Sequence, residues 1–315
     1  MQMIQADNRW AQMYGNAFAK EISNQKTQEV TRNNVRRTIE YSSTQPYIFR
    51  NTQEGLAAVG IEVLSEDTYT ACKWSPADIW LNPKSPKYKI TNRQKKQLKF
   101  YGWWDNETDQ VADIWYKTNN QGFRDKHFGG DEPGIACFGC SHTYGSGIHS
   151  HQNWPSQLAE LTGEKTFNLG TPACSLQLGV WYALNFIDRD IPNLTGIAVF
   201  VPPMGRAPVA MKRPDQDHYF VSNMRVELLE NVSPELELDT ATLDKYVNMM
   251  GASAQMSYDM HLKTLQLLAK QRGIPIAIIH PQDITPSDWA RDLMHFGPDT
   301  HNSIARMAMQ KLGRF

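Results

Sequence analysis

Ile135-Ala136-Cys137-Phe138-Gly139-Cys140-Ser141-His142-Thr143-Tyr144-Gly145-Ser146-Gly147 is the stretch on which the fold turns. Its first half is apolar without alternation, the pattern of a strand buried on both faces. Its second half is made of small and polar residues and reads as the turn beyond that strand. Three further apolar runs, Thr166 to Leu169, Gly196 to Val201 and Ile274 to Ile279, have the same flat character. Segments of helical period separate them. Trp154 to Leu161 has Asn153 as N-cap and Pro155 in the first turn. Leu176, Val180, Leu184 and Ile187 share the face of a second helix, and a long helical stretch from about Thr242 to Gln271 stops at Arg272-Gly273. A last helix, with Ile304, Met307, Ala308 and Leu312 on one side, follows Pro298-Asp299. Strands alternating with helices predict right-handed crossovers and a three-layer α/β/α sandwich with a mostly parallel sheet. Residues 204–240 interrupt the rhythm, and Tyr219 to Leu229 reads as a strand or hairpin over the sheet edge.

The sandwich is expected to occupy residues 126–315. Upstream, residues 46–125 mix Trp74, Trp80, Tyr101, Trp103, Trp104, Trp115 and Tyr116 with Pro and Asn, without a clean period, and read as an irregular lead-in subdomain. Residues 1–45 read as a helix, with Trp10, Met13, Tyr14, Ala17, Phe18 and Ile22 at helical spacing, followed by a polar arm. Such an apolar stripe needs a covering surface, on its own domain, on a second copy or on a partner.

The 315 residues carry Lys+Arg 32 against Asp+Glu 33, so no field of one sign favours nucleic acid or an anionic membrane. No apolar run approaches the roughly 18 residues of a membrane span, and the N-terminus lacks the apolar centre of a signal peptide. The expectation is a soluble chain of cytoplasmic synthesis. Cys72, Cys137, Cys140 and Cys174 are scattered or in apolar context and read as reduced core thiols. Cys137, Cys140 and His142 invite a zinc reading, but thiols three apart along a strand point to opposite faces; no metal and no cofactor is expected.

In open α/β sheets, ligands bind beyond the carboxyl ends of the strands. Ser141 falls there after the first strand, where its hydroxyl can serve as a nucleophile; a serine in a glycine-rich turn is also commonly just a turn residue. Gly170, closing the second strand, offers a backbone N–H to an oxyanion, although a tight turn requires Gly there anyway. Asp292-Leu293-Met294-His295, before the last helix, has the spacing at which a carboxylate fixes the tautomer of an imidazole and leaves its other nitrogen free to accept a serine proton. His301 lies inside the last helix and reads as a surface or satisfied side chain.

These blocks carry a family resemblance. Phe138 to Gly145 resembles the first block of the SGNH/GDSL hydrolases, with Cys140 where the commonest version has Asp; Asn168-Leu169-Gly170 resembles the second, and Asp292 to Gly297 the last. Gly122-Phe123-Arg124 is similar to a lead-in often found before the first block. The resemblance spans residues 119–315. It implies Ser141 as nucleophile, His295 as base, Asp292 as orienter, and the N–H groups of Ser141 and Gly170 as oxyanion donors. The third block departs from the pattern: Pro202-Pro203-Met204-Gly205-Arg206 stands where the family supplies an Asn donor. A replacement donor must come from Gly205 N–H, the Arg206 guanidinium or a neighbouring loop, and Arg206 is the first choice because a cationic fork reaches further than an amide.

The expected function is serine-dependent ester hydrolysis through an acyl-enzyme on Ser141. The expected substrate is a small ester or an acylated carbohydrate, with upstream aromatics read as exposed and favouring carbohydrate O-deacetylation. The alternative is a non-catalytic binding or structural component that keeps the fold and assembles through its N-terminal arm.

Overall fold

The computed structural model describes residues 64–66, 69–74, 78–84, 88–119, 122–128, 132–172, 174–190, 193–203, 206–212, 219–225 and 240–315. The expected N-terminal helix and arm lie outside the described residues.

The lead-in is more regular than its sequence suggests. β1 (Leu64–Glu66), β2 (Tyr69–Cys72) and, after a gap in sequence, Tyr116–Thr118 form an antiparallel sheet. Between them run α1 (Asn92–Phe100) and the hairpin of β3 (Trp104–Asp105) and β4 (Gln110–Val111), which makes Tyr116–Thr118 β5. α1 buries only Leu98, which is why its periodicity is faint. Its start is nonetheless written locally: Thr91 and Gln94 form a capping box that satisfies both ends of the first turn.

The sandwich begins at β6 (Gly134–Gly139), followed by the short α2 (Ser141–Tyr144) and α3 (Trp154–Thr162), whose N-cap Asn153 accepts from Ser156 N–H at 2.8 Å. β7 (Lys165–Asn168), α4 (Leu176–Asp190) and β8 (Leu194–Phe200) follow. β9 (Arg206–Lys212) and β10 (Tyr219–Arg225) pair with each other as a separate antiparallel ribbon. α5 (Thr240–Arg272), β11 (Ile276–Ile279) and α6 (Pro298–Lys311) complete the chain. The four strands β7, β6, β8 and β11 lie side by side in that order, all parallel.

Period-two alternation divides the strands between two cores. Ile135 and Cys137 of β6, Ala198 and Phe200 of β8, and Ala277 and Ile279 of β11 pack with Trp154, Leu158, Ile304 and Ala308 of α3 and α6. Ala136, Phe138, Ile197 and Val199 point the other way, against Leu176, Val180, Leu265 and Ala269 of α4 and α5. Cys137 and Cys140 fall in different cores, so these thiols face opposite sides of the sheet. All four cysteines are free and buried. Burial pushes the Cys72 thiol up to about 12, and the Cys137 and Cys174 thiols are raised by the same cause. Among the described residues no helix is long and apolar enough to cross a membrane.

β6 is where the chain leaves for β7 on one side and returns to β8 on the other, the arrangement that opens a crevice at the strands' carboxyl ends. Gly139 makes the exit from β6. Its φ is +154°, and a Cβ there would sit 2.1 Å from Thr143 Oγ1 and 2.7 Å from the Phe200 carbonyl oxygen. Gly139→Ala is therefore expected to lower stability by about 3 kcal/mol or more, the sum of backbone strain and overpacking, as read by thermal unfolding.

Candidate active site

The crevice gathers its groups from two loops. The first is the turn after β6, which places Ser141 at the opening position of α2. A first-turn N–H has no intrahelical acceptor, so the helix itself does not commit the Ser141 N–H. The second is the loop from Asp288 to Gly297. Asp288 anchors its far end by capping α6: its two carboxylate oxygens each accept a backbone N–H at 2.9 Å, from Asp299 and Thr300. The loop then folds back on itself, with Ala290 N–H donating to the His295 carbonyl at 2.8 Å and Trp289 bridging to Phe296. The reversal puts Leu293 in the left-handed region, at φ 57°, an unusual conformation for a branched side chain.

This turn makes an Asp–x–x–His spacing into a contact. Asp292 Oδ1 accepts the N–H groups of Met294 and His295 at 3.0 and 2.9 Å, and Oδ2 lies 2.5 Å from His295 Nδ1. His295 Nε2 lies 2.7 Å from Ser141 Oγ. With Nδ1 donating to the carboxylate, Nε2 presents its lone pair to the hydroxyl, and Ser141 O–H donates to it. The Asp292 side chain is wholly buried and that of His295 is 15% exposed, enough to meet a substrate from one side.

His142, next to the nucleophile, stacks near this base: its ring centre is 5.0 Å from that of His295 and 4.2 Å from that of Phe296. Burial, and then the neighbouring His295, His301 and Arg206, hold its pKa well below the ordinary value. A neutral ring at this place spares an imidazolium on His295 a second positive neighbour. His301 is fully buried rather than on the surface; its Nδ1 accepts the Trp154 N–H at 3.0 Å, and burial lowers its pKa to about 3. It therefore joins α6 to α3 and does not touch Ser141.

The expected oxyanion donors divide. Gly170 sits against the nucleophile turn so closely that a Cβ would lie 2.3 Å from Tyr144 N, but its N–H donates to Asn168 Oδ1 at 3.0 Å and is thereby committed. Arg206 Nη1 donates to the Cys174 carbonyl at 3.3 Å, its charge acts on the His142 ring, and its buried Nε has no partner among the described residues.

The upstream aromatics are not the exposed platform that the carbohydrate expectation needs. Trp103, Trp104 and Tyr116 are buried, Trp74, Trp80 and Tyr101 are partly buried, and of those named only Trp115 is exposed. Sequence reasoning gives no site role to four residues behind the site. Arg291 is fully buried beside Asp292 and pairs with Asp78, and Tyr116 and Arg124 reach the turn after Ser141. An Arg next to an Asp reads as surface charge in a sequence, so only Arg124, within Gly122-Phe123-Arg124, carried any signal.

No protein-family model matches the chain, and no curated protein matches it. Solved structures do. A member of the lipolytic G-D-S-L family from Veillonella parvula matches 58% of this chain over 100% of its own length, at 14% identity and a TM-score of 0.30. An SGNH-hydrolase family esterase matches 59% over 75%, at 15% identity and a TM-score of 0.27. An acetylxylan esterase from Geobacillus stearothermophilus, solved as a catalytic mutant, matches 60% over 97%, at 11% identity and a TM-score of 0.28. Scores this low carry no weight for the chemistry, which stands on the contacts around Ser141.

Beneath the crevice, Asp125 accepts the Asn168 N–H at 2.6 Å. Burial pushes its carboxyl up to about 6, against the opposing pull of the Asn168 and Lys126 N–H groups. The folded pKa thus lies above the unfolded value near 3.9, so the native state holds this proton more tightly and stability falls as pH rises from about 4 to 6. Asp125→Asn keeps an acceptor for Asn168 without the charge. Its melting temperature should exceed that of the parent above about pH 6, and the difference should vanish near pH 4.

Proposed function

We propose that this chain is a serine-dependent hydrolase of the SGNH type that cleaves ester bonds through an acyl-enzyme on Ser141. The observation that carries the reading is the unbroken line from Asp292 Oδ2 to His295 Nδ1 and from Nε2 to Ser141 Oγ, at 2.5 and 2.7 Å. His295 takes the hydroxyl proton as Ser141 Oγ attacks the ester carbonyl. The resulting imidazolium is held by Asp292 and returns the proton to the leaving alcohol as the tetrahedral intermediate collapses. Water then enters by the same route, with His295 as base, and releases the carboxylic acid. The buried aromatics give no reason to prefer an acylated carbohydrate over another small acyl ester.

Oxyanion stabilisation is assigned to the Ser141 N–H and the Arg206 guanidinium. Arg206 follows the two prolines that end the third strand, and its buried Nε has no partner among the described residues. A charged donor strengthens as negative charge develops.

A fluorophosphonate probe should label the native chain and fail on Ser141→Ala. Labelling of Ser141→Ala, or none of the native chain, would favour a binding component that keeps the fold. With a small activated ester, Arg206→Gln should lower kcat about a hundredfold at little change in KM, the cost of one oxyanion donor. An unchanged kcat would remove Arg206 from the hole.

A further inference from the structure

The proposed triad is held from outside the sandwich. Asp78 lies in the lead-in, more than two hundred residues before Arg291 in sequence, and both side chains are wholly buried. Asp78 Oδ2 accepts from Arg291 Nη2, from Arg291 Nε at 3.2 Å and from the Tyr116 hydroxyl at 2.7 Å. Two more Arg291 donors are used as well. Nη1 reaches the Ala112 carbonyl and Nη2 the Lys73 carbonyl, each at 2.9 Å, so the guanidinium is plugged into lead-in backbone.

The other end of this network lies on the nucleophile turn. The Tyr116 hydroxyl, while donating to Asp78, accepts the Gly147 N–H at 2.9 Å, and the Gly147 carbonyl accepts the Arg291 N–H at 2.9 Å. Gly147 is thus gripped from both sides, at φ +78°, where a Cβ would lie 2.8 Å from Ala290 Cβ and 3.3 Å from Asp292 Cγ. The loop that follows Ser141 and the loop that carries Asp292 and His295 meet here, through Arg291 one peptide bond from Asp292.

We infer that Asp78, Tyr116 and Arg291 are positioning residues that hold the Asp292–His295 loop in register with Ser141. This rests on reading Ser141, His295 and Asp292 as a triad. A buried ion pair is seldom the most stable filling for a core, since apolar side chains of the same volume often serve equally well. What it supplies is direction. Two Arg291 donors and the Tyr116 hydroxyl converge on one carboxylate oxygen, so three segments remote in sequence meet at Asp78. Burial and the charge of Asp78 keep the Tyr116 phenol far above its usual pKa, so it stays a donor. Burial would lower the pKa of Arg291, but Asp78 and Tyr116 raise it on balance and keep it a cation. The loop itself has a left-handed Leu293 and, for regular structure, only the Trp289–Phe296 bridge. Displacement of a catalytic group by about 1 Å can cost about a hundredfold in rate.

The test uses the full chain and compares Tyr116→Phe and Asp78→Asn with the parent. Three quantities are read: kcat and KM for p-nitrophenyl acetate, the rate of fluorophosphonate labelling at Ser141, and the low-field proton resonance of the His295 Nδ1–H to Asp292 hydrogen bond. Tyr116→Phe removes one oxygen and leaves the ring in its core. It is expected to lower kcat and the labelling rate about ten- to thirtyfold with KM within about twofold, and to shift or broaden the low-field proton. Asp78→Asn is expected to do the same more strongly; if it fails to fold, Tyr116→Phe decides. A folded Tyr116→Phe with the parent's labelling rate and an unmoved proton would overturn the inference. Failure of the parent to label would instead count against the triad reading, and the proton resonance would then still report whether Tyr116 holds the loop.

Discussion

A buried carboxylate has to be surrounded by donors, and Asp292 is the group around which this site is built. Its side chain is inaccessible to water and sees the N–H groups of Met294 and His295 and the imidazole Nδ1. The two backbone donors set the shape of the turn, and the shape of the turn presents the imidazole. Every other feature of the loop serves that contact: the cap by Asp288 fixes where α6 starts, and the Ala290 to His295 hydrogen bond closes the reversal. The left-handed backbone at Leu293 is tolerated because both flanks are tied.

The nucleophile side is stiffened by other means. Gly139 lets the chain leave β6 through space already occupied by Thr143 and the Phe200 carbonyl. Thr143 Oγ1 donates to the Phe138 carbonyl at 3.3 Å and accepts from Trp154 Nε1 at 3.1 Å, so the turn is pinned to the helix that follows it. From behind, the Arg124 guanidinium donates to the carbonyls of Gly145 and Ile148, the latter at 2.9 Å, and to that of Trp115 in the lead-in at 3.0 Å. Two buried arginines, one behind each loop, therefore join the sandwich to the residues upstream. The ring of Tyr116 lies 4.5 Å under one and its hydroxyl bonds the carboxylate that holds the other.

What is legible in the sequence follows from the reach of the interactions. The sheet is legible because Ile135 to Phe138 and Gly196 to Phe200 are apolar on both faces, a property of the residues alone. The contact of Asp292 with His295 is legible because it spans one turn. The helix Asn92–Phe100 is not read, since one buried residue leaves no stripe, yet its Thr91 and Gln94 capping pair is a signal within four residues. Asp78 with Arg291 is beyond such reading: the partners are remote in sequence, and each alone looks like a surface charge. The same holds for Asn168, which resembles a family block but whose side-chain oxygen takes the N–H of Gly170, an outcome of side-chain rotation that no spacing specifies.

That rotation bears on what the site can do. Asn168 is held at three points: its N–H by Asp125, its Nδ2 by the Thr143 carbonyl at 3.0 Å, and its Oδ1 by Gly170. A side chain so placed cannot release Gly170 without losing an acceptor for a buried amide, a cost of about 1–3 kcal/mol. The prolines at 202 and 203 offer no N–H. In the proposed site, stabilisation of a tetrahedral oxyanion is assigned to the Ser141 amide and the Arg206 guanidinium. A guanidinium differs from an amide in that its charge acts over a longer range and does not need an aligned dipole. A hole built on charge tolerates looser geometry in the acyl group than a hole of aligned amides, so this chain's departure from the third block is expected to relax acyl specificity while leaving the order of proton transfers through His295 unchanged.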